Sequence, residues 1–163
     1  MPGTLENWSE FNVAMAGASA ALAGLVIVAA SVNIGKIVQA GSLTARLASA
    51  IAALVLALVA SAVALVPDVD LLWYGVVILV GTVAAGAFQV HATRMIMRDP
   101  LPSHGARIGK SALGFLPIAG YLAAGIALVG DHRSGLPLTA AGCLLAIVSA
   151  IAVSWVALVE VLR

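Results

Sequence analysis

The sequence predicts an all-α fold: a polytopic membrane helix bundle with five transmembrane helices, the N-terminus outside and the C-terminus in the cytoplasm. Three observations carry this expectation. Of the 163 residues, 63% are hydrophobic and 9% charged, and the mean hydropathy is +1.13; an ordinary soluble domain has roughly 45–50% and 25%. The apolar residues fall in continuous runs, each near the roughly 20 residues that cross a hydrocarbon core of about 30 Å. The cations are segregated: with the N-terminus outside, Lys36, Arg46, Arg94, Arg98, Arg107, Lys110 and Arg163 lie on the inner side and only Arg133 on the outer, the bias that sets membrane orientation.

The spans are expected at 12–33, 43–66, 71–91, 111–130 and 136–159, and residues 1–163 form one integral membrane domain. Strands are rejected because the runs are rich in Ala and Leu and do not alternate. Before the first span, Met1 to Phe11 has Glu6 and Glu10 but no Lys or Arg, the wrong charge for a signal peptide, so the first span is retained. Thr4 and Glu6 are placed to open an interfacial turn, with Leu5, Trp8 and Phe11 dipping into the headgroup boundary. Gly41 and Ser42 stop one helix and cap the next, and Pro67 with Asp68 ends the second span. Asp99, Pro100 and Pro102 end the third, and Ser134, Gly135 and Pro137 open the fifth. Trp8, Trp73 and Tyr74 are expected in an outer aromatic belt and Trp155 near the inner one.

The first span, "AMAGASAALAGLVIVAASVNI" from Ala14 to Ile34, is about half Ala, Gly and Ser. Lipid tails are as apolar as Leu, so helices associate in a bilayer through close backbone approach and interhelical hydrogen bonds, which small residues permit. Ala16, Ala20 and Gly24 repeat every four residues and Gly17 and Ala21 do the same on the neighbouring row, a small face on which Gly17, Ala20 and Gly24 are the close-packing residues. Asn12, Ser19 and Asn33 share a seven-residue register, with Ala16, Ala23, Val26 and Ala30 between them. Such a stripe stays aligned along a left-handed crossing. It serves either as interhelical glue, at about 0.6–2 kcal/mol per polar contact, or as the lining of a narrow water path in an oligomer. Gly75, Thr82 and Gln89 repeat the register in the third span, and Gly142, Ala146, Ser149, Val153, Val156 and Glu160 continue it in the fifth.

Several function classes are disfavoured. A net charge of +1 offers no basic surface for nucleic acid. Cys143 is the single cysteine, so neither an intrachain disulfide nor a cysteine metal site is available. His91, His104 and His132 fall on different sides of the expected topology, so no metal is expected, nor any other cofactor. No Asp, Glu, Lys, Arg or His lies near the centre of a span, where proton relays and coupled carriers place theirs. No strained nucleophile turn or acid-held base points to catalysis, and the chain is not expected to be an enzyme.

Three smaller features remain. Pro117 interrupts the fourth span near Tyr121, either as a binding notch or as a kink eased by neighbouring helices. His91, Arg94 and Arg98 form a helical row leaving the third span; Arg94 and Arg98 either grip anionic lipid headgroups or snorkel as positive-inside anchors. Glu160 is expected to turn into the bundle and pair with a cation, Arg94 first and Arg46 or Lys110 otherwise, the competing reading being a solvated carboxylate near the C-terminus.

The stretch "NWSEFNVAMAGASAALAGLVIVAASVNIGKIV", followed by a loop, an Ala/Leu/Val span and "LVP", resembles a group of small, mostly actinobacterial five-span membrane proteins, some labelled "modulator of FtsH protease". The likeness is strongest from Asn7 to Pro67. It implies a multi-pass protein of the bacterial cytoplasmic (inner) membrane that partners a membrane-anchored AAA protease without catalysing a reaction, and it brings no site residues. The expected partners are the lipid bilayer and either further copies of the chain or another integral membrane protein. The alternative function is a homo-oligomeric channel or pore lined by the first span.

Overall fold

The computed structural model describes residues 5–39, 41–98 and 104–162; for residues 36, 41, 98, 104–110, 157, 158 and 160–162 it describes the backbone alone. A 3₁₀ turn, Glu6–Trp8, leads into α1 (Ser9–Val32). The short α2 (Ile34–Gln39) follows, then α3 (Gly41–Ala64), α4 (Leu71–Arg98), α5 (His104–Val129) and α6 (Gly135–Leu162). Five of these helices are long and apolar enough to cross a membrane, the architecture of a multi-pass membrane protein. Among the described residues there is no strand.

Helices α3, α4, α5 and α6 form a ring in which each touches the next and α6 returns to α3, while α1 lies outside the ring against α3 and, to a lesser extent, α6. The sequence of α3 explains its central place. Leu43, Arg46, Ala50, Ala53, Ala57, Ala60 and Ala64 alternate at spacings of three and four, and every one is buried. A seam of alanines lets neighbouring backbones come close, the condition for helix association in lipid. On its flank Leu47 and Leu54 meet Ala23 and Val26 of α1 and Ala150 and Val153 of α6. Accordingly 56% of the apolar window of α3 is buried, against 17% of that of α1.

One end of the bundle carries Arg46 and Arg94. The other carries Glu6, Asp68, Asp70, Asp131 and Arg133 around an open concavity of about 750 Å³. The connections at this acidic end turn on two aspartates with left-handed backbone, Asp68 (φ 56°) and Asp131 (φ 58°). After α5 the His132 N–H reaches back to the Ala127 carbonyl at 2.8 Å, a closing bond of the kind that satisfies the last carbonyls of a helix, with Asp131 where glycine is more usual.

Three expectations need correction. The helices outrun the apolar runs at the cation-bearing end: α4 continues past His91 to Arg98, α5 begins at His104, and α2 occupies part of what reads as a loop. Hydropathy marks where hydrocarbon ends, whereas polar residues such as Thr93 and Arg94 continue a helix into water without penalty. In the N-terminal turn Leu5 and Trp8 pack on the core of the bundle rather than projecting away from it, and Trp8 meets Phe11 edge to face with ring centroids 5.8 Å apart. Tyr74 does not join the aromatic belt. It is 1% exposed, in the core, whereas Trp73 and Trp155 are 66% and 68% exposed.

Candidate functional site

Helix α1 presents two seams with the same three-and-four spacing, one residue apart and therefore turned by about 100° at 3.6 residues per turn. The first contains Asn12, Ala16, Ser19, Ala23, Val26, Ala30 and Asn33. Asn12, Ser19, Ala23 and Val26 are buried, while Ala16, Ala30 and Asn33 are half-buried. This stripe is turned against α3 and α6 of its own chain. Asn33 instead folds back, its Nδ2 donating to the Ala29 carbonyl at 3.1 Å. The Ser19 hydroxyl is fully buried, with no hydrogen-bond partner among the described residues.

The second seam contains Val13, Gly17, Ala20, Gly24, Ile27 and Ser31, and all six are exposed. A Cβ built on Gly17 or Gly24 meets nothing within 4 Å. Among the described residues, the close-packing face of Gly17, Ala20 and Gly24 is thus not used. Close approach occurs elsewhere: a Cβ on Gly75 would lie 2.9 Å from Leu128 Cβ and 3.0 Å from Val129 N, and one on Gly142 would lie 3.0 Å from the Tyr121 ring. Composition alone cannot tell these glycines from those of α1, because both sit in uniformly apolar helices.

A polar node sits inside the ring near its cation-bearing end. Arg46 and Ser49 come from α3, Gln89 from α4, Gly114 from α5 and Ser149 from α6, around a cavity of about 10 Å³, about the volume one water needs. Arg46, Ser49, Gln89 and Ser149 are all at least nine-tenths buried. Ser49 donates to Gln89 Oε1. The Gln89 amide nitrogen makes two long contacts, 3.4 Å each, to Thr93 Oγ1 and to the Ser111 carbonyl, at the weak end of hydrogen bonding. Gly114 leaves the space that the Gln89 carboxamide fills, and a Cβ there would force that side chain to move. Sequence reasoning counted Arg46 as a topology cation and as a lesser candidate partner of Glu160. Its place in the register of the α3 alanines is the signal that it points inward.

Nearer the acidic end, Tyr121 is fully buried and donates to Cys143 Sγ at 3.2 Å, with Ser61 Oγ 3.8 Å from the same sulfur. Pro117 is buried within a continuous α5, so no open notch forms at Tyr121. The thiol is a free, buried cysteine in a polar contact that joins three helices of the ring.

The remaining sequence candidates stay apart. His91 and Arg94 are exposed on α4. The side chains of Arg98 and Glu160 lie outside the described residues, and with them the Arg94–Glu160 ion pair and half of the Arg94–Arg98 lipid contact. Among the described residues no group of three or more His, Cys, Asp or Glu side chains is placed to hold a metal ion. Compared with known protein families, characterised proteins and solved structures, the chain matches none.

Proposed function

We propose that this chain is a non-enzymatic interaction subunit of a bacterial inner membrane, which binds a second transmembrane helix along the outward seam of α1. The observation that carries this reading is the bare row of small residues on the least buried helix: Gly17 and Gly24 have open space around them, and Ala20 between them is exposed. A glycine in a helix interior costs about 1 kcal/mol relative to alanine, and among the described residues no contact offsets that cost. The occupant is either another copy or a larger integral complex; a membrane protease is the candidate suggested by the family resemblance. The buried state of Ser19 and Ala23 favours this over a pore lined by the other stripe.

Gly24→Leu should abolish or strongly weaken association without lowering the thermal stability of the dissociated chain, because the new side chain has free space in its own subunit and leucine is the better helix former. Cross-linking in native membranes and sedimentation in mild detergent measure the first, and a melting curve in dissociating detergent the second. Association at the wild-type level would remove the reading. The accompanying topology is N-out, C-in: reporter fusions after Arg46, Arg107 and Arg163 should read cytoplasmic and those after Asp70 and Arg133 external. A cytoplasmic signal at Asp70 would reverse it.

A further inference from the structure

We propose that the outward face of α4 binds one anionic phospholipid at the cation-bearing end of the bundle, its phosphate held by His91 and Arg94 and an acyl chain lying along Val83 and Val80. At 3.6 residues per turn, Val80, Val83, Ala84, Ala87, His91 and Arg94 fall within one strip of the helix, and all six are exposed. The strip is apolar as far as Ala87 and carries hydrogen-bond donors from His91 onward. The change comes at a telling depth. Helix α4 begins at Leu71, and His91 stands about 30 Å further along it at 1.5 Å per residue, the thickness of a hydrocarbon core. A helix that enters hydrocarbon at Leu71 therefore lays Val80 and Val83 against acyl chains and brings His91 and Arg94 to the headgroups.

The occupant has to match both halves of the strip. Helix α4 contains no Asp or Glu, so Arg94 has no carboxylate on its own helix, and an anion arriving from outside is favoured beside it. A guanidinium presents its N–H donors as a fork that takes two phosphate oxygens at once, and an imidazole adds one more donor through a ring N–H. Three residues apart, the two side chains are neighbours on the helix surface, with Cβ atoms about 5–6 Å from each other, a gap that one phosphate bridges. An acidic protein segment would match the cation alone. A phospholipid matches the cation and the apolar strip beneath it, in the order in which a leaflet stacks them. Helix α4 belongs to the ring, whereas α1 lies outside it against α3 and α6, so the site does not depend on what covers α1.

The test is native mass spectrometry of the full-length protein, released from detergent with phosphatidylglycerol or phosphatidylcholine of the same acyl chains at equal concentration. The wild type should retain the first phosphatidylglycerol about tenfold more tightly than phosphatidylcholine, as expected for about one cation acting on one net negative headgroup. Arg94→Gln should lose most of that preference, and His91→Ala should weaken retention by about two- to threefold, the loss of one hydrogen bond. Both side chains are exposed, so neither variant disturbs the core. Lys36→Gln, which removes one positive charge from α2 at the same end, should leave the preference unchanged. Glycerol 1-phosphate, the headgroup without its chains, should not displace the lipid. Equal retention of the two lipids by the wild type overturns the proposal. So does an equal loss in Arg94→Gln and Lys36→Gln, which would assign the preference to diffuse surface charge, and so does displacement by glycerol 1-phosphate, which would leave a site for phosphate alone.

Discussion

Gly75→Ala should lower the stability of the monomeric bundle by roughly 2 kcal/mol, even though alanine is the better helix former by about 1 kcal/mol. The sign is decided across the α4–α5 contact. The added Cβ would sit 2.9 Å from Leu128 Cβ and 3.0 Å from the backbone nitrogen of Val129, atoms that cannot rotate away and that move only if α5 moves. The same contact is pinned a turn along by Gly125, where a Cβ would come within 2.7 Å of Leu79. Forcing a methyl group into packed surfaces costs about 1–3 kcal/mol, and with both helices held the upper part of that range applies. For a chain of this length the Tm should fall by roughly 4–8 °C. Gly24→Ala is the control, since open space around that Cβ leaves only the gain in helix propensity. Equal melting shifts for the two variants would mean that α4 and α5 are not in close backbone contact at Gly75.

The contrast between these two glycines locates the boundary of what the sequence discloses. Five spans are legible because a bilayer demands long apolar runs, and nothing else in a short chain produces them. Facing is harder to read, since a helix that is apolar all round gives no amphipathic contrast to separate the side that meets lipid from the side that meets protein. Where polar residues interrupt the grease the direction shows: Ser19, Thr82, Gln89 and Ser149, singled out by their register, are all buried. Arg46 shows the limit of a rule applied without that register. Counted by charge it belongs to the membrane surface, whereas its spacing from Ala50, Ala53 and Ala57 puts it on the inward seam, and there it is found. Gly17 and Gly24 carry no such marker, and their outward orientation appears only once α1 is placed beside α3.

Tyr74→Ala and Trp73→Ala form the sharpest test of facing, because the residues are adjacent and both are aromatic. Read as a belt, they should act alike and mainly anchor the bundle at the interface. In the fold they diverge. Tyr74 is 1% exposed and belongs to the core with Ala64, Leu136 and Cys143, while Trp73 is 66% exposed. Truncating a buried aromatic costs about 3–5 kcal/mol in soluble cores. Within a bilayer the water-transfer part of that cost shrinks and the lost packing remains, so about 3 kcal/mol is expected for Tyr74→Ala, a fall in Tm of roughly 6–12 °C. The loss is not repaired by collapse, because Tyr74 also lines the small cavity shared with Trp8, Asn12 and Thr139, so the hole opens onto space already there. Trp73→Ala removes surface that faces lipid and should stay within about 0.5 kcal/mol of wild type. Melting curves of both variants in the same detergent measure the difference. Matching losses would return Tyr74 to the interface and would detach the N-terminal turn, which rests on the same core, from the end of the bundle.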